Sequence, residues 1–250
     1  MQDTIQNAML VGSDQQVIKP LTAIIIATTL DKENYLKTPI AKCIETIEKF
    51  PQIGYPPFVI DVAFENKKGL SAYYNESVQK WIHSTIQNFV FVHDDVEIQD
   101  LQFFEKLSEG FETYDVVGVA GSKKVSLKGK TIAWHHTERE YYRGAVTHPL
   151  KEDQTKFFTN SYGFAPDEVA TLDGLFIAAN RRVFEAGVIF NENYKFDFYD
   201  MAFCMNARLK GFKVGVIPIH ITHYSHGKGV MKITYAETQE KFREEYRKLL

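Results

Sequence analysis

The order of apolar and polar positions along the chain predicts alternating strands and helices. Leu21–Thr28 is a continuous apolar, β-branched run, which is typical of a buried parallel strand. Apolar residues then recur at helical spacing over Tyr35–Phe50. A strand, a helix and another strand are predicted next, at Phe58–Ala63, over the apolar positions from Val78 to Phe89, and at Phe89–His93. This succession predicts an α/β fold with a parallel sheet flanked by helices, which binds ligands beyond the carboxyl ends of its strands.

The second half of the chain has a less regular pattern. It predicts helices at Leu101–Gly110, Arg181–Ala186 and Asp200–Lys210, and strands at Val116–Ala120, Thr171–Ala179 and Phe212–Ile217. Residues 121–165 show no clear period and are expected to form loops and short strands. Gly211 is expected to end its helix in a left-handed cap. Since no repeat, linker or composition break divides the chain, we predict one domain, 1–250, with a polar lead-in at 1–19 and a C-terminal amphipathic helix at 233–250.

Composition narrows the class of protein. The chain has 250 residues and a formal net charge of −3, which gives no sign of bulk nucleic-acid binding. Two cysteines, Cys43 and Cys204, are too few for a disulfide framework, and they favour a reducing cytosol. No apolar run approaches the roughly 18 residues of a membrane span, and the first residues lack the pattern of a signal peptide. The chain is therefore predicted to be soluble or peripheral to a membrane.

Several common catalytic motifs are absent from the sequence. No G-x-G-x-x-G follows the first predicted strand, and there is no G-x-x-x-x-G-K-[ST] phosphate loop. There is also no G-x-S-x-G elbow and no H-E-x-x-H zinc helix. Nicotinamide cofactors, P-loop ATP hydrolysis and serine-hydrolase chemistry are therefore disfavoured.

Two adjacent carboxylates, Asp94 and Asp95, come directly after the third predicted strand. Carboxylate oxygens at such a strand end suit a hard divalent cation that is shared with a diphosphate. The alternative is a strand-terminating turn, in which an Asp side chain caps backbone amides. The pair by itself leaves both interpretations open.

A second acidic pair, Asp197 and Asp200, lies where a helix is predicted to begin. Residues three apart share one side of a helix, so both carboxylates are expected on the same side of its first turn. Helix capping is the competing explanation, because Asp is favoured at the N-cap and is stabilised by the helix dipole. One residue can fill both roles where the amino end of the helix points toward a cleft.

Three histidines, His220, His223 and His226, fall within seven residues after the last predicted strand. Imidazole is a common metal ligand, and a loop at the edge of the sheet would place these rings near a bound ligand. Surface histidines also cluster without a function, so the spacing alone does not decide which of them binds a metal.

Six segments carry a resemblance to a known family: LTAIIIATT, GLSAYYN, VHDDV, TLDGLFIAANRRVFEAGVIF, FDFYDMAFCMNARLKGFKVG and PIHITHYSHG. In this order they resemble the GT-A type glycosyltransferases, in particular the large inverting family 2 that uses nucleotide-diphosphate sugars. VHDDV stands where that family has Asp-x-Asp, with His93 in the first position and Asp95 in the last. Two positions depart from the pattern, since Tyr74 replaces an Arg and Ala202 stands where related chains often carry a second Asp. The resemblance runs from about residue 21 to about residue 229.

The resemblance implies a GT-A fold and a set of residue roles. Asp95, assisted by His223, would hold a divalent cation, Mn²⁺ or Mg²⁺. Asp200 would be the general base, with Asp197 as its competitor. Contacts to the donor are implied for Thr28, Asn75, Asp94 and Asp95. A contact to the nucleobase is implied for Asp61, which is expected just after the second strand. Contacts to the acceptor or sugar are implied for Trp134, Asp173 and Gly174.

The chemistry of the implied reaction explains these residue types. Charge builds on the β-phosphate as the glycosidic bond breaks, and a cation offsets it as a Lewis acid. Inversion also requires a base to deprotonate the acceptor hydroxyl on the opposite face of the sugar. The helix dipole is expected to keep the pKa of Asp200 low. We therefore predict metal-dependent inverting transfer from a nucleotide-diphosphate sugar to a glycan or lipid-linked glycan, in the cytoplasm or at the inner face of a membrane.

Two other functions stay open at this point. A sugar-nucleotide pyrophosphorylase has a similar sheet, but it would need a glycine-rich, basic loop where this chain has ATTLDKENY. A degenerate domain would bind glycan or nucleotide without catalysis, or support an active partner. Metal-dependent binding of nucleoside diphosphates separates the degenerate domain from an enzyme.

Overall fold

A computed structural model describes residues 21–49, 55–225 and 233–247 of the chain. Its helices are α1 (Lys32–Tyr35), α2 (Pro39–Lys49), α3 (Leu70–Trp81), α4 (Phe103–Thr113), α5 (Arg181–Glu185), α6 (Tyr199–Leu209) and α7 (Ile233–Tyr246). Its strands are β1 (Thr22–Ala27), β2 (Phe58–Ala63), β3 (Asn88–Val92), β4 (Val96–Ile98), β5 (Val116–Gly118), β6 (Ala120–Ser122), β7 (Tyr142–Pro149), β8 (Phe157–Gly163), β9 (Asp167–Glu168), β10 (Thr171–Leu172), β11 (Phe176–Asn180), β12 (Val214–Val216) and β13 (Ile221–His223). The polar lead-in predicted at 1–19 lies outside the described residues.

The larger sheet has seven strands in the order β2-β1-β3-β11-β5-β12-β9. β1 pairs in parallel with both β2 and β3, and β5 pairs in parallel with β12. β11 is antiparallel to its neighbours β3 and β5, and β9 is antiparallel to β12. Five of the seven strands, β2, β1, β3, β5 and β12, therefore run in the same direction. This confirms the prediction of a mostly parallel central sheet flanked by helices. Whether 1–250 is one domain stays a prediction.

Burial on both faces explains the continuous apolar run of β1. All six residues of the strand are buried. Ala23 and Ile25 face the core that contains α3 and α6, whereas Ile24 and Ile26 face the core that contains α2 and α4. A strand covered on both faces has no polar face, and this is why its sequence does not alternate.

A second sheet, β10-β6-β7-β13-β4 with β8 paired to β7, meets the carboxyl ends of the central strands. β3 passes into β4 through residues 93–95. β13 then pairs antiparallel with β4, which sets His223 opposite Val96. This pairing brings the end of β13 next to the turn that carries Asp94 and Asp95.

Several predicted elements differ from the structure, and the strand predicted at Val116–Ala120 is divided between β5 and β6 of the two sheets. α3 ends at Trp81 rather than near residue 89, because the buried Ile86 reaches the core from a turn and Phe89 already belongs to β3. The strand predicted at Thr171–Ala179 is split into β10 and β11, and the Asp173 side chain accepts a hydrogen bond from Leu175 N (3.2 Å) at the break. Residues 121–165 contain the long hairpin of β7 and β8, whose period is hidden because β8 is exposed along most of its length.

Other predictions at the helix ends are confirmed. Gly211 has φ 87°, the left-handed conformation of a helix cap. α7 buries Phe242 and Tyr246, as the amphipathic pattern of 233–250 predicts, and residues 248–250 lie outside the description. Within residues 21–49, 55–225 and 233–247, no helix combines the length and apolar character needed to cross a membrane.

Candidate active site

His93, Asp95 and His223 form a cluster with the donor set of a metal site. Each residue offers one ligand atom, and the three atoms lie within 4.8 Å of one another. His93 and Asp95 come from the turn after β3, and His223 is the last residue of β13. The antiparallel pairing of β13 with β4 brings them together. His223 was expected in a loop, and the structure instead fixes it on a strand.

The charges in this cluster depend on one another. Burial acts to raise the pKa of Asp95, but the neighbouring His223 and His93 rings outweigh it and the pKa is lowered. Burial likewise acts to lower the pKa of His223, and Asp95 reverses this, so that the pKa of His223 is raised. The pKa of His93 is lowered, chiefly by burial, which favours its neutral, metal-binding form.

An incompletely satisfied oxygen indicates that the cluster fits a cation. Asp95 Oδ1 is buried 3.3 Å from His223 Nε2, and within the described part of the chain no group makes a hydrogen bond of regular geometry to it. Such an oxygen is costly unless something binds it. Two imidazoles with one carboxylate suit Mn²⁺ better than Mg²⁺, which prefers a shell of oxygens. The residues present therefore fit a divalent cation of the manganese type.

Tyr199 orients one member of this cluster. Its hydroxyl donates to Gly174 O (2.6 Å) and lies 2.9 Å from His93 Nε2. A hydroxyl has one hydrogen to donate, so His93 Nε2 must donate to Tyr199. The neutral ring then keeps its lone pair on Nδ1. The sequence reasoning missed His93 as a ligand and Tyr199 as its support, although His93 stands in the first position of the VHDDV motif.

Gly174 is required by the close approach of Tyr199. A Cβ on Gly174 would lie 2.4 Å from Tyr199 Oη. The Gly174 amide donates to Asp200 Oδ2 (2.9 Å), and its carbonyl accepts from Tyr199. The predicted sugar contact at Gly174 stays a prediction, and in the structure its backbone joins Asp200 to Tyr199.

Asp200 is a partly buried carboxylate with an altered proton affinity. Burial, together with the nearby Asp173, raises its pKa to about 7, although Met201 N and Gly174 N donate hydrogen bonds that act in the opposite direction. The expectation that the helix dipole keeps this pKa low is wrong, because the dipole is outweighed by desolvation and a like charge. Asp200 is not the N-cap of α6 either, since that position is held by Phe198 in a left-handed conformation. Asp197 precedes the cap, so the two carboxylates do not share the first turn.

A cavity of about 190 Å³ brings most of the predicted catalytic and acceptor residues together. Its walls include His93, Trp134, Asp173, Gly174, Phe196, Asp197, Asp200 and Tyr235. Trp134 Nε1 donates to Asp173 Oδ2 (2.9 Å), which fixes the ring in the wall. Phe196 is 64% exposed and stacks on His93, with ring centroids 6.1 Å apart.

Two of the predicted donor residues meet at neighbouring strand ends. Thr28 follows β1 and Asp94 follows β3, and these two strands pair in parallel. The Thr28 hydroxyl donates to Asp94 Oδ2. The pair therefore lies at the carboxyl edge of the sheet, where ligands of this fold class are expected.

Asp61 and Asn75 lie elsewhere and are engaged within the protein. Asp61 is inside β2 rather than after it, so its expected place at the end of the strand is wrong. It is 3% exposed and accepts from Tyr73 Oη (3.0 Å), Lys80 Nζ (3.1 Å) and Trp81 Nε1 (2.8 Å). The Asn75 amide accepts from Phe190 N (2.9 Å) and donates to Phe190 O (2.9 Å). Their contacts with a donor stay predictions.

Among the three candidate histidines, His223 joins the cluster. His220 Nε2 lies 3.1 Å from Thr147 Oγ1, away from Asp95. His226 lies outside the described residues.

The sequence also matches a family. Residues 25–246 match a family described as "Glycosyltransferase like family". The chain belongs to this glycosyltransferase-like family. No curated protein sequence matches it.

Solved structures are similar to this glycosyltransferase-family chain in fold. The catalytic domain of Drosophila β1,4-galactosyltransferase 7, in complex with xylobiose, is 11% identical with a TM-score of 0.54, and the match covers 88% of this chain and 79% of that one. A197 from STIV is 11% identical with a TM-score of 0.45, covering 85% of this chain and 98% of that one. The family and the galactosyltransferase match confirm the predicted GT-A fold, and the family supports glycosyl transfer as the function.

Proposed function

We propose that the chain catalyses metal-dependent, inverting transfer of a sugar from a nucleotide-diphosphate donor to a glycan hydroxyl. One observation carries the proposal: the His93–Asp95–His223 cluster adjoins a cavity that contains a carboxylate, Asp200, with a pKa of about 7. A metal site and a base next to each other are what this reaction requires. In this proposal, one set of residues binds the donor and a separate set acts on the acceptor.

The donor side is formed by the cluster and the neighbouring strand ends. Asp95 and His223, with His93, would hold a Mn²⁺ ion, and Thr28 and Asp94 lie at the same edge of the sheet. When bound, the cation supplies Lewis-acid stabilisation of the charge that builds on the leaving diphosphate. Tyr199 keeps His93 in its ligand orientation by accepting from Nε2.

Asp200 takes the proton of the acceptor in this proposal. The acceptor oxygen bonds to the anomeric carbon while the bond from that carbon to the phosphate oxygen breaks, and the hydroxyl proton passes to a carboxylate oxygen of Asp200. A pKa near 7 suits both halves of the step, because the base is partly ionised at neutral pH and holds the proton well afterwards. Asp197 lines the same cavity and is the competing base.

The acceptor is proposed to be a glycan or lipid-linked glycan that enters the cavity beside Trp134 and Asp173. The aromatic and carboxylate groups of the cavity wall suit a sugar, which has apolar ring faces and polar edges. A cytoplasmic location, at the inner face of a membrane for a lipid-linked acceptor, is part of the proposal. The free thiols of Cys43 and Cys204 support it.

The test is titration of the 250-residue chain with UDP, GDP, CDP and ADP, with and without Mn²⁺. We expect one of them to bind much more tightly with Mn²⁺, and Asp95→Asn to remove most of that gain, because an amide is a poor ligand for the cation. His223→Ala should weaken binding less. His220→Ala is the matched control, since its ring bonds Thr147 and lies outside the cluster.

Three results would contradict the metal assignment. Binding that Mn²⁺ does not change would favour a degenerate domain. If Asp95→Asn keeps its full Mn²⁺ dependence, the metal binds elsewhere. The same follows if His220→Ala loses more nucleotide affinity than His223→Ala does. Sugar-nucleotide hydrolysis measured over a panel of donors then identifies the donor sugar, and pyrophosphate-dependent release of a nucleoside triphosphate from the same donors tests for pyrophosphorylase activity.

A further inference from the structure

The sheet that carries His223 has a second face, directed away from the metal cluster. Successive residues of a strand point to opposite faces. His148 on β7 and His223 on β13 share one face, with ring centroids 5.6 Å apart. The residues before them, Thr147 and Thr222, are partners in the parallel pairing of β7 with β13 and share the other face.

A row of hydroxyl groups crosses this second face. Thr159, Thr147 and Thr222 lie in register on the neighbouring strands β8, β7 and β13. Thr147 Oγ1 is 2.9 Å from Thr159 Oγ1 and 3.1 Å from His220 Nε2. Thr222 Oγ1 is buried and, within the described residues, has no hydrogen-bond partner. A hydroxyl offers one donor and two acceptor positions, so Thr147 and Thr159 keep hydrogen-bonding capacity beyond the contacts they make with each other and with His220.

A cavity of about 370 Å³ opens beside this row, and we call it the back-face cavity. It is bounded by the β7–β8 hairpin and by residues 217–220. Its walls contain Thr147, Thr159 and His220 together with Val119, Ala145, Ile217 and Ile219. Phe164, which is 89% exposed, stands at its edge. Its volume is about that of a small-molecule site, which ranges upward from roughly 300 Å³.

The chemistry of the walls selects the class of ligand. No Asp, Glu, Lys or Arg is among the described residues that line the back-face cavity. A phosphate, a nucleotide or a metal ion would therefore find no opposite charge there. Threonine hydroxyls and an imidazole offer hydrogen bonds, and an exposed phenyl ring with aliphatic walls offers an apolar surface. A pyranose ring presents both, with hydroxyls at its edge and C–H groups on its faces.

We propose that the back-face cavity binds an uncharged sugar residue of a glycan, at a site separate from the active-site cavity. The Phe164 ring stacks on the sugar, and the row of Thr159, Thr147 and His220 bonds its hydroxyls. This site uses no residue of the metal cluster and none assigned to catalysis. It therefore stands or falls independently of the proposed transfer reaction.

The test is a titration of the isotope-labelled 250-residue chain followed by NMR, in EDTA and without nucleotide. The probes are methyl glycosides of glucose, galactose and N-acetylglucosamine and their β-linked disaccharides. We expect at least one probe to bind saturably and to shift the signals of the β7–β8 hairpin. Phe164→Ala should raise its Kd by up to about tenfold, the value of one aromatic stacking contact. Thr159→Val, which keeps the shape but removes the hydroxyl, should also raise it.

Phe196→Ala locates the binding, because Phe196 is another exposed phenylalanine but stands at the active-site cavity, where the proposed acceptor would bind. Leu101→Ala is the control, since Leu101 is 68% exposed and is not among the described residues that line either cavity, and its Kd for the probe should equal that of the parent. Loss of binding in Phe196→Ala with normal binding in Phe164→Ala would overturn the back-face site and leave the proposed transferase function standing. Absence of saturable binding by every probe would overturn it as well. Failure of the transferase proposal would instead appear as nucleotide binding that Mn²⁺ does not change.

Discussion

At the residue scale, the active-site cavity brings several carboxyl groups close together. Asp200 and Asp173 both line it, and Trp134 donates to Asp173 while two backbone amides donate to Asp200. These hydrogen bonds stabilise the charged forms, yet burial and the like charge dominate at Asp200. The site therefore holds one proton up to about neutral pH.

This proton gives the reaction a predicted pH dependence. The pKa of Asp200 is raised from 3.8 to about 7, so the ionised base is lost as the pH falls below 7 and transfer should fall with it.

Asp200→Asn should lower transfer by about 10²–10⁴ while nucleotide-sugar affinity stays within a few-fold, since the base contacts the acceptor. Rates measured from pH 5.5 to 8.5, with nucleotide titrations on the same preparations, check both. Near-normal turnover in Asp200→Asn would transfer the role to Asp197.

The same pKa has a consequence for stability. The unfolded chain loses the Asp200 proton near pH 4, whereas the folded chain keeps it to about pH 7. Between these values the folded state binds more protons, so this residue makes the fold less stable as the pH rises. Asp200→Asn should flatten the decline in melting temperature between about pH 4 and 7. An unchanged decline would show that folding does not raise the pKa of Asp200.

Tyr199 provides a second residue-scale prediction. Tyr199→Phe removes the hydroxyl that accepts from His93 Nε2 and donates to Gly174 O, and leaves the packing in place. Loss of such a supporting hydrogen bond typically costs about 10–100-fold in metal affinity. Mn²⁺ titration in the presence of the bound nucleotide measures this. Tyr194→Phe, whose hydroxyl instead bonds Glu245, is the control and should leave Mn²⁺ affinity unchanged.

The sequence predicted part of this site for a physical reason. Asp95 and Asp200 stand next to a strand end and a helix start, so local pattern is enough to mark them. His93 and Tyr199 bond each other across 106 residues of sequence, and no local pattern predicts such a contact. The pKa of Asp200 was predicted in the wrong direction because the sequence shows the helix dipole but not the depth of burial.

At the element scale, the central strands were predictable because both faces of the sheet are buried. β1, β2 and β3 read as apolar runs and lie close to their predicted bounds. The second sheet was not predictable from the sequence, because β8 is exposed along most of its length and β13 has only three residues. α3 was predicted too long, since the apolar spacing of Ile82 and Ile86 continues past the last helical turn.

Asn75 tests the assignment of α3 to the donor side. Its amide bonds both backbone groups of Phe190, 115 residues away, and so ties α3 to the chain before α6. Asn75→Ala would leave these backbone groups unpaired and should lower the free energy of unfolding by about 1–3 kcal/mol. Nucleotide affinity should stay near that of the parent if the Asn75 amide serves only this structural tie, and it should fall if Asn75 also contacts the donor. Asn193→Ala, at an exposed position, is the control for stability.

A loss of nucleotide affinity in folded Asn75→Ala would support the donor contact that the family resemblance implies. Chemical denaturation and nucleotide titration on one preparation separate the two outcomes. The same comparison applies to Asp61, whose three donors on α3 indicate a structural role.

At the scale of the whole molecule, the C-terminal helix supports the active-site cavity. Gln239 on α7 is 4% exposed, accepts from Ile132 N (2.6 Å) and donates to Lys130 O (3.1 Å). Tyr235 donates to Ile132 O and also lines the cavity. These contacts hold the segment that ends at Trp134. The sequence predicted α7 as amphipathic but gave no sign of what it covers, because its partners lie more than 100 residues away.

Gln239→Leu tests this long-range support. Leucine fills much of the same space but leaves the Ile132 amide and the Lys130 carbonyl unpaired, which costs about 1–3 kcal/mol where they are buried. We expect the 130–134 segment to loosen, the acceptor KM to rise several-fold and Mn²⁺-dependent nucleotide affinity to stay unchanged, because the cluster is held by β3, β4 and β13. Kinetics at varied acceptor, together with Trp134 fluorescence, measure the effect. Glu237→Leu, on an exposed position of the same helix, should leave all three quantities unchanged. A lowered melting temperature with a normal acceptor KM would mean that α7 stabilises the fold without shaping the acceptor site.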